Sequence, residues 1–354
     1  MKAAVYYGQR DVRVESVPEP AAPGPHEISI QVSLCGTCGS DSHAFGAGSK
    51  FIPMDHPHPV THHCGPTVIG HEFIGTVLER GSEVDDVEVG DRVACGAGYW
   101  CGECEWCRAG RINICPEYFV YGVAAHGGMA ELVTVPTKLC RPVPEGSSDA
   151  AAACAQALSV SLHAVRRSGV SAGASIAVVG AGGVGAGVIA GAARRGPDAL
   201  IAVDLNDDRL AVAERLGATH TINGSAGNTV GQIQELTEGV GAHVVVEASG
   251  SPIGLQLALD SVRRGGTVLQ LGLPSEPASI DLLGLTVREI NIIPSVSHVC
   301  TEDLPEALEM LDTTDFAEIT TEGVVPIDDV VEGALVPMVE GRATGKLLID
   351  PTSA

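Results

Sequence analysis

The chain has 354 residues, 45% of them hydrophobic, which is too long for one ordinary core and sufficient for two. Its formal net charge is −23, and such an acidic surface repels nucleic-acid phosphates and anionic lipid, so we expect no nucleic-acid or membrane partner. The first residues read as a strand without a targeting leader, which favours a cytoplasmic location. In that reducing compartment we expect the eleven cysteines to be metal ligands or buried thiols.

Short apolar runs separated by glycine and proline, such as EISIQVSLCG and AELVTVP, fill residues 1–150. This punctuation is typical of a compact, mostly antiparallel β domain. The alanine-rich stretch that follows predicts a helix that Ser147 or Ser148 caps and that runs to about Arg167, where Gly169 ends it.

Strand and helix patterns then alternate along the chain. We predict strands at 175–180, 199–204, near 220, 243–248 and 266–272, and helices at 183–195, 207–216, around 228–238 and between the last two strands. This alternation is typical of an α/β fold with a parallel, doubly wound sheet. The regularity fades near residue 295, and the final stretch ends in a strand. We therefore expect domains at 1–150 and 151–295, with 296–354 returning to the first.

A glycine-rich motif follows the first strand of this second region. Gly180, Gly182 and Gly185 form G-x-G-x-x-G between a predicted strand and a predicted helix, the context that a dinucleotide-binding loop requires. Asp204 ends the next strand, where a carboxylate can accept hydrogen bonds from the adenosine ribose of NAD and would repel the 2′-phosphate of NADP. We expect NAD over NADP, although Arg209, five residues further along the chain, could contact either cofactor.

A lobe at 95–116 carries four cysteines, Cys101, Cys104, Cys107 and Cys115, with C-x2-C-x2-C-x7-C spacing. Four thiolates can complete a tetrahedral shell with no open position, which is typical of a structural zinc site. Disulfides and an iron–sulfur cluster are the alternatives. A reducing compartment disfavours disulfides, and the spacing differs from the usual ferredoxin runs.

Two further motifs, CGSDSH at 38–43 and GHEFIGTVLERGSEV at 70–84, complete a recognisable order. With the four-cysteine lobe and the glycine-rich motif, they make the chain resemble the zinc-dependent medium-chain alcohol dehydrogenases over essentially its whole length. The resemblance implies a GroES-like, mostly β catalytic domain and a Rossmann domain. It also implies an NAD(P)-dependent oxidoreductase with two zinc ions per chain that forms a homodimer or homotetramer.

The resemblance also implies the residues of a catalytic zinc site. Cys38 and His71 match zinc ligands, and Glu72 matches either a direct ligand or a close neighbour of the metal. Asp41 matches the residue that orients His71 through its other ring nitrogen. Zinc with an open position favours deprotonation of a bound alcohol, whose carbon then gives hydride to the nicotinamide.

Ser40 and His43 match the proton relay of this family, which carries the alcohol proton to solvent. A hydroxyl can pass the proton on, and an imidazole that titrates near neutrality can release it. The resemblance thus implies a small alcohol or ketone as the substrate.

The fourth ligand position departs from the family. Alignment of LSVSLHA places Gln156 where polyol-type relatives carry Glu and others carry Cys, and Cys154 lies two residues earlier. On a regular helix such residues point about 200° apart, so only one can face the metal. The alignment favours Gln156, with Cys154 or water as alternatives. Our hypothesis is that a neutral amide makes the zinc more electrophilic and more easily lost.

The segment FIPMDHPHPVTHHCGPTV lengthens the spacing between Cys38 and His71 and resembles an insertion of (R,R)-2,3-butanediol dehydrogenases. It favours a small vicinal diol or hydroxyketone, such as 2,3-butanediol or acetoin. Its histidines stand among prolines, so we expect a loop that borders the substrate entrance and no separate metal site. Another polyol or a secondary alcohol of specialised metabolism is the alternative substrate. The non-enzyme alternative is a zinc- and NAD-binding protein whose catalytic site Gln156 impairs.

Overall fold

A computed structural model describes residues 1–274 and 276–353. The strands are β1 (Lys2–Gly8), β2 (Asp11–Ser16), β3 (Glu27–Gly36), β4 (Thr67–Val68), β5 (Glu72–Arg80), β6 (Arg92–Cys95), β7 (Gly98–Tyr99), β8 (Phe119–Val120), β9 (Leu132–Pro136), β10 (Cys140–Pro142), β11 (Ser175–Val179), β12 (Ala199–Asp204), β13 (His220–Asn223), β14 (Ala242–Glu247), β15 (Val262–Gln270), β16 (Asn291–Pro294), β17 (Thr321–Pro326) and β18 (Lys346–Asp350).

The helices are α1 (Gly39–Ala47), α2 (Glu105–Arg108), α3 (Asp149–Ala152), α4 (Ala155–Ser168), α5 (Gly183–Ala193), α6 (Asp207–Arg215), α7 (Thr229–Glu235), α8 (Pro252–Ser261), α9 (Leu282–Arg288), α10 (Asp303–Thr313), α11 (Phe316–Thr320) and α12 (Val336–Val339). The chain divides into two compact units. The first unit comprises Met1–Ser159 and the chain from Val299 onward, and the second comprises Val160–His298.

The first unit is built on a largely antiparallel sheet. Its strands follow the order β10-β6-β5-β3-β18-β17, and β9 also pairs with β3. Along β3 the buried residues alternate, since Ile28, Ile30 and Val32 point into the core while the positions between them do not. This period of two is that of a half-buried strand. Strand β18 pairs antiparallel with the end of β3, where Ile349 faces Cys35.

The second unit is a six-stranded parallel sheet in the order β13-β12-β11-β14-β15-β16. All five residues of β11 are buried, as expected for a strand covered on both faces. The order reverses between β11 and β14, which makes this the topological switch point of the sheet. The predicted parallel, doubly wound architecture is confirmed.

One predicted helix is wrong in its continuity. Ser148 caps α3 as expected, since its side chain accepts a hydrogen bond from the Ala151 N–H. The backbone then tightens at Cys154, whose N–H bonds the carbonyl of Ala151, three residues earlier. The helix stops there and restarts as α4 at Ala155. Cys154 and Gln156 therefore do not lie on one regular helix, and the angular argument between them does not apply.

None of the helices in the described residues is long and apolar enough to cross a membrane. Residues 175–193 carry no charged side chain, and they divide into β11, a turn and α5.

Candidate active site and metal centres

Cys38, His71 and Glu72 converge in the first unit, with one potential ligand atom from each lying within 4.8 Å of the others. Cys38 follows the end of β3 and is the N-cap of α1. His71 and Glu72 stand at the start of β5, which pairs antiparallel with β3 so that Glu72 faces Gly36. The hydrogen-bonding register of two core strands therefore places the three side chains together.

Two glycines permit this close arrangement. A Cβ on Gly36 would lie 2.7 Å from the Glu72 Oε2 atom. Gly70 has φ +94°, and a Cβ there would lie 2.6 Å from the Met129 side chain. A larger residue at Gly36 would displace β3 from Glu72 of β5, and one at Gly70 would displace the start of β5 from Met129.

Asp41 lies beside His71, but not at hydrogen-bonding distance. Its Oδ2 accepts a hydrogen bond of 2.9 Å from the Cys38 N–H, and its Oδ1 lies 3.7 Å from the His71 Nδ1. Burial lowers the pKa of His71, but the charges of Asp41 and Cys38 outweigh it and raise that pKa to about 10. The anionic surroundings therefore favour a cation next to this imidazole.

The two residues of the expected proton relay occupy one side of α1. The Ser40 Oγ lies 3.4 Å from the His71 Nε2, so the hydroxyl is next to the converging ligands. His43 is exposed and follows three residues later, which places it about one helical turn along the same face. The structure thus offers a hydroxyl at the site and an imidazole at the solvent.

Lys346 is a component of the site that the sequence analysis missed. Its side chain is only 12% exposed, and its ammonium donates hydrogen bonds to the Glu72 Oε2 and, at 3.0 Å, to the Thr37 carbonyl. Burial lowers the pKa of Lys346, but the carboxylate of Glu72 and the thiolate of Cys38 outweigh it and raise that pKa. The only sequence signal was a lysine at the start of an otherwise apolar strand.

The donor set fits zinc. The Glu72 Oε1 is buried and has no hydrogen-bond partner among the described residues, although the other oxygen of the same carboxylate is satisfied. A buried polar atom without a partner is costly, and a cation would satisfy it. Sulfur, imidazole nitrogen and carboxylate oxygen are the ligands that zinc takes in proteins.

Cys154 lies outside this group of ligands. Its Sγ is 3.5 Å from the Ala150 carbonyl and 3.7 Å from the Thr321 Oγ1, and burial raises the pKa of the thiol. Gln156 is also buried, with 8% of its surface exposed. Its ligation of a metal stays a prediction.

The four cysteines of the lobe Cys101, Cys104, Cys107 and Cys115 form the second group, again within 4.8 Å of one another. Backbone N–H groups point at the sulfurs. Cys101 accepts from the amides of Glu103 and Cys104 at 3.4 Å, and these bonds lower its pKa to about 7. Such donors stabilise thiolate charge, which suits a site closed by four sulfurs.

Lys138 lies against this lobe. Its Nζ is 4.1 Å from the Tyr99 ring centre and 4.9 Å from that of Trp100, and it donates to the Trp100 carbonyl. Burial lowers the pKa of Lys138, while the thiolates of Cys101 and Cys107 act in the opposite direction. The ammonium therefore offsets part of the negative charge of the lobe.

The glycine-rich loop of the second unit has the geometry of a close turn. Gly180 has φ +95°, and a Cβ on Gly185 would lie 1.8 Å from the Gly180 carbonyl oxygen. Gly182 is the N-cap of α5, so the first amides of that helix have no intrahelical partner. Gly180 and Gly182 therefore precede the N-terminus of α5, and Gly185 lies in its first turn, packed against Gly180.

Asp204 ends β12 next to this loop, and its side chain is 8% exposed. The Oδ2 accepts a hydrogen bond of 2.7 Å from the Ala181 N–H. The Oδ1 accepts bonds from the amides of Leu205 and Asn206 and lies 3.9 Å from the Arg209 Nη1. These contacts fix the carboxylate at the glycine-rich loop.

The histidine-rich segment makes local contacts. The His58 Nδ1 accepts from the amides of Val60 and Thr61, and the His63 Nε2 lies 2.8 Å from the Thr67 Oγ1. The His63 ring packs edge-on against His126 at 4.9 Å. Within residues 1–274 and 276–353, these histidines do not belong to a group of three potential metal ligands.

Both parts of the chain match known protein families. Residues 24–145 match the model described as "Alcohol dehydrogenase GroES-like domain", and residues 183–313 match the one described as "Zinc-binding dehydrogenase". The first match contains Cys38, His71 and the four-cysteine lobe, and the second contains Gly185 and Asp204.

Relatives of known name match most or all of the chain. The sorbitol dehydrogenase of Bacillus subtilis is 36% identical over 78% of this chain and 76% of its own length. The (R,R)-butanediol dehydrogenase of the same organism is 31% identical over 99% and 100%. The crystal structure of 2R,3R-butanediol dehydrogenase from Bacillus subtilis superposes with a TM-score of 0.90, at 30% identity and 99% coverage of both chains.

A GroES-like domain with a zinc-type ligand set, together with a dinucleotide-binding sheet, defines an oxidoreductase. The chain belongs to the zinc-dependent medium-chain alcohol dehydrogenases. The predicted family, fold class and enzyme class are thereby confirmed.

Proposed function

We propose that the chain catalyses the reversible oxidation of a small secondary alcohol to a ketone, with NAD as the hydride acceptor. The observation that carries this proposal is the convergence of Cys38, His71 and Glu72 beside the hydroxyl of Ser40. These ligands and Gln156 would hold a zinc ion, which supplies Lewis-acid activation of the substrate hydroxyl. The four-cysteine lobe would hold a second, structural zinc.

Four further side chains would move the substrate proton or hold the zinc ligands in place. Ser40 would accept the substrate proton while it passes its own hydroxyl proton along the relay, and His43 would release a proton to solvent. Asp41 holds the backbone at Cys38 and keeps negative charge near His71, which favours retention of a cation. Lys346 holds one oxygen of Glu72, so that the other oxygen faces the ligand group.

Two observations support NAD as the preferred cofactor. Asp204 lies at the glycine-rich loop, where a carboxylate would bind ribose hydroxyls and repel a 2′-phosphate. Asp207 and Asp208 follow in the first turn of α6 and add further negative charge, against one nearby cation from Arg209. We expect NADP to be reduced far more slowly than NAD.

Two substrate classes follow from the comparisons. The inserted segment before His71 and the butanediol dehydrogenase relative, which aligns over its whole length, favour a vicinal diol or hydroxyketone such as 2,3-butanediol or acetoin. The sorbitol dehydrogenase relative, with 36% identity, favours a longer polyol as the second candidate.

A panel of short diols and polyols, each incubated with NAD, tests the proposal through NADH formation, with metal analysis of the same sample. Two zinc ions per chain are expected, one for each ligand group. Turnover of a diol would support the first candidate, and turnover of polyols alone would support the second. One zinc per chain without any NADH formation would contradict the proposed function.

A further inference from the structure

Glu247 is a buried carboxylate of the second unit that the proposed reaction does not use. It ends β14 and is 0% exposed. Its Oε1 accepts hydrogen bonds from the Ser249 amide at 2.8 Å, the Ser249 hydroxyl at 2.5 Å and the Gly250 amide at 3.0 Å. Its Oε2 accepts one of 2.7 Å from the Gln270 Nε2. A single side chain thus fixes the loop that follows β14.

The same residue also fixes the loop that follows β15. The Glu247 carbonyl accepts from the amides of Leu271 and Gly272, each at 2.9 Å. Gln270, which donates to the carboxylate, donates from the same Nε2 to the Gly272 carbonyl at 2.7 Å. The two loops are in contact, because a Cβ on Gly272 would lie 2.1 Å from the Gly250 nitrogen.

The loop after β14 packs directly on the glycine-rich loop. The Ala248 N–H bonds the Val179 carbonyl at 2.8 Å, and a Cβ on Gly180 would lie 2.9 Å from the Ser249 nitrogen. Ser249 is nevertheless exposed, so this loop presents a surface beside the pyrophosphate-binding turn.

The strand order indicates which half of the cofactor this surface would face. A dinucleotide lies across the switch point of such a sheet, with its pyrophosphate at the glycine-rich turn. Asp204 ends β12 on one side of β11 and would take the adenosine ribose. The loops after β14 and β15 lie on the other side of β11, where the nicotinamide half must extend.

We propose that Glu247 is a positioning residue for the nicotinamide half of the cofactor, acting through the loop at Ser249 and Gly250. The proposal rests on dinucleotide binding by the second unit. A carboxylate accepts hydrogen bonds at both oxygens, whereas a glutamine amide at this position would set an N–H group against another donor. The carboxylate thereby holds the two loops in the conformation that meets the nicotinamide.

Binding of two ligands to Glu247→Gln tests this role. NADH carries both halves of the cofactor, and ADP-ribose lacks the nicotinamide. In Glu247→Gln, NADH should bind about tenfold more weakly, the effect of leaving one buried donor unsatisfied. ADP-ribose should bind within about twofold of its affinity for the unchanged protein. Asp204→Asn is the matched control, because it should weaken both ligands by the same factor.

Amide hydrogen exchange supplies a second readout. Exchange at Ser249 and Gly250 should accelerate in Glu247→Gln, while exchange at Leu205 and Asn206, on the adenosine side, should stay unchanged. If Glu247→Gln fails to fold, Gln270→Met removes one donor and leaves the carboxylate in place. That variant should weaken NADH about threefold and spare ADP-ribose.

Three results would overturn the proposal. One is unchanged NADH affinity in Glu247→Gln or, where that variant does not fold, in Gln270→Met. Another is an equal loss of NADH and ADP-ribose affinity, which would indicate damage to the whole unit. If the unchanged protein binds neither ligand, dinucleotide binding itself is wrong and the role of Glu247 falls with it.

Discussion

Glu72 and Lys346 form a buried ion pair, in which each charge would be costly without its partner. Lys346→Met would leave the Glu72 carboxylate buried without its cation. We expect the free energy of unfolding of the zinc-free protein to fall by about 3–5 kcal/mol, the usual cost of breaking a buried pair from one side. The zinc-loaded protein should lose less, because a zinc ion held by Glu72 would neutralise the same carboxylate. Urea unfolding with and without zinc measures both values.

Lys2→Met is the control for that measurement. Lys2 pairs with Asp328 at 2.9 Å, but both side chains are partly exposed, so its removal should change stability by no more than about 1 kcal/mol. A loss in Lys346→Met that zinc does not reduce would contradict the placement of Glu72 at the metal.

Two variants distinguish Gln156 from Cys154 as the fourth ligand of the catalytic zinc. Gln156→Ala should weaken zinc binding at the catalytic site by at least about tenfold, in the range known for supporting residues of metal sites. Cys154→Ala should leave zinc affinity nearly unchanged, because its sulfur contacts Ala150 and Thr321. Competition with a chelator, followed by metal analysis, measures both. The reverse pattern would assign the ligand to Cys154.

Some residues of the candidate site could be predicted from the sequence, and others could not. Cys38 and His71 were predicted as zinc ligands because each stands in a short motif, CGSDSH or GHE, that resembles the family. Lys346 was missed because its partner Glu72 lies 274 residues away, and no local pattern encodes such a contact. Tertiary pairing of β18 with β3 alone brings the lysine there.

The histidine-rich loop and its neighbour His126 form an element with a predictable response to pH. Burial lowers the pKa values of His58, His63 and His126 from their ordinary value of 6.5. The unfolded chain then binds protons at a higher pH than the folded one, so stability is complete above about pH 6.5 and falls as the pH drops below it. Thermal unfolding between about pH 5 and pH 8, the range in which histidine titrates, measures this slope.

His126→Asn removes one titrating ring while its amide oxygen can still accept the Val68 N–H that the His126 Nδ1 accepts at 3.1 Å. Its stability should therefore fall less steeply on acidification. An unchanged slope would show that His126 does not contribute.

The helices were also predicted only in part from the sequence. The alanine-rich composition predicted one helix because alanine favours helix everywhere and marks no interruption. The break at Cys154 depends on a backbone hydrogen bond to Ala151 and on packing of the thiol near Thr321, neither of which composition reveals. In contrast, α5 and α6 begin at Gly183 and Asp207, the residues at which the sequence pattern predicted their starts.

For the whole molecule, the feature that bears on self-association is one edge of the sheet in the second unit. Strand β16 is the edge of its sheet, and Leu282, Leu283 and Val287 of α9 are 72%, 73% and 58% exposed. An open edge strand can pair with the same edge of a second copy about a two-fold axis. We therefore expect a homodimer formed through this edge.

Leu283→Glu should shift the protein toward monomer by placing a charge in that interface, as light scattering of the eluted species would show. Val89→Glu is the control, because Val89 is similarly exposed, at 61%, but belongs to the first unit. Equal masses for Leu283→Glu and the unchanged protein would contradict the edge-strand dimer.

Alternation of strands and helices was sufficient to predict parallel orientation in the second unit, because each crossover helix returns the chain to the same edge. It did not predict the order β13-β12-β11-β14-β15-β16, since alternation fixes direction and not adjacency. The cytoplasmic location expected from the first residues stays a prediction.

The interruption of the first unit by the second sets the order in which the protein matures on the ribosome. Cys38, His71 and Glu72 emerge early, whereas Lys346 follows Glu72 by 274 residues, a delay of roughly 15 to 55 s at ordinary rates of synthesis. During that interval the second unit, Val160–His298, becomes complete and can fold, while β18 and its Lys346 have not yet been synthesised. The buried carboxylate of Glu72 is thus synthesised well before the lysine that neutralises it, so a cation that bound the nascent ligands would bind them without Lys346.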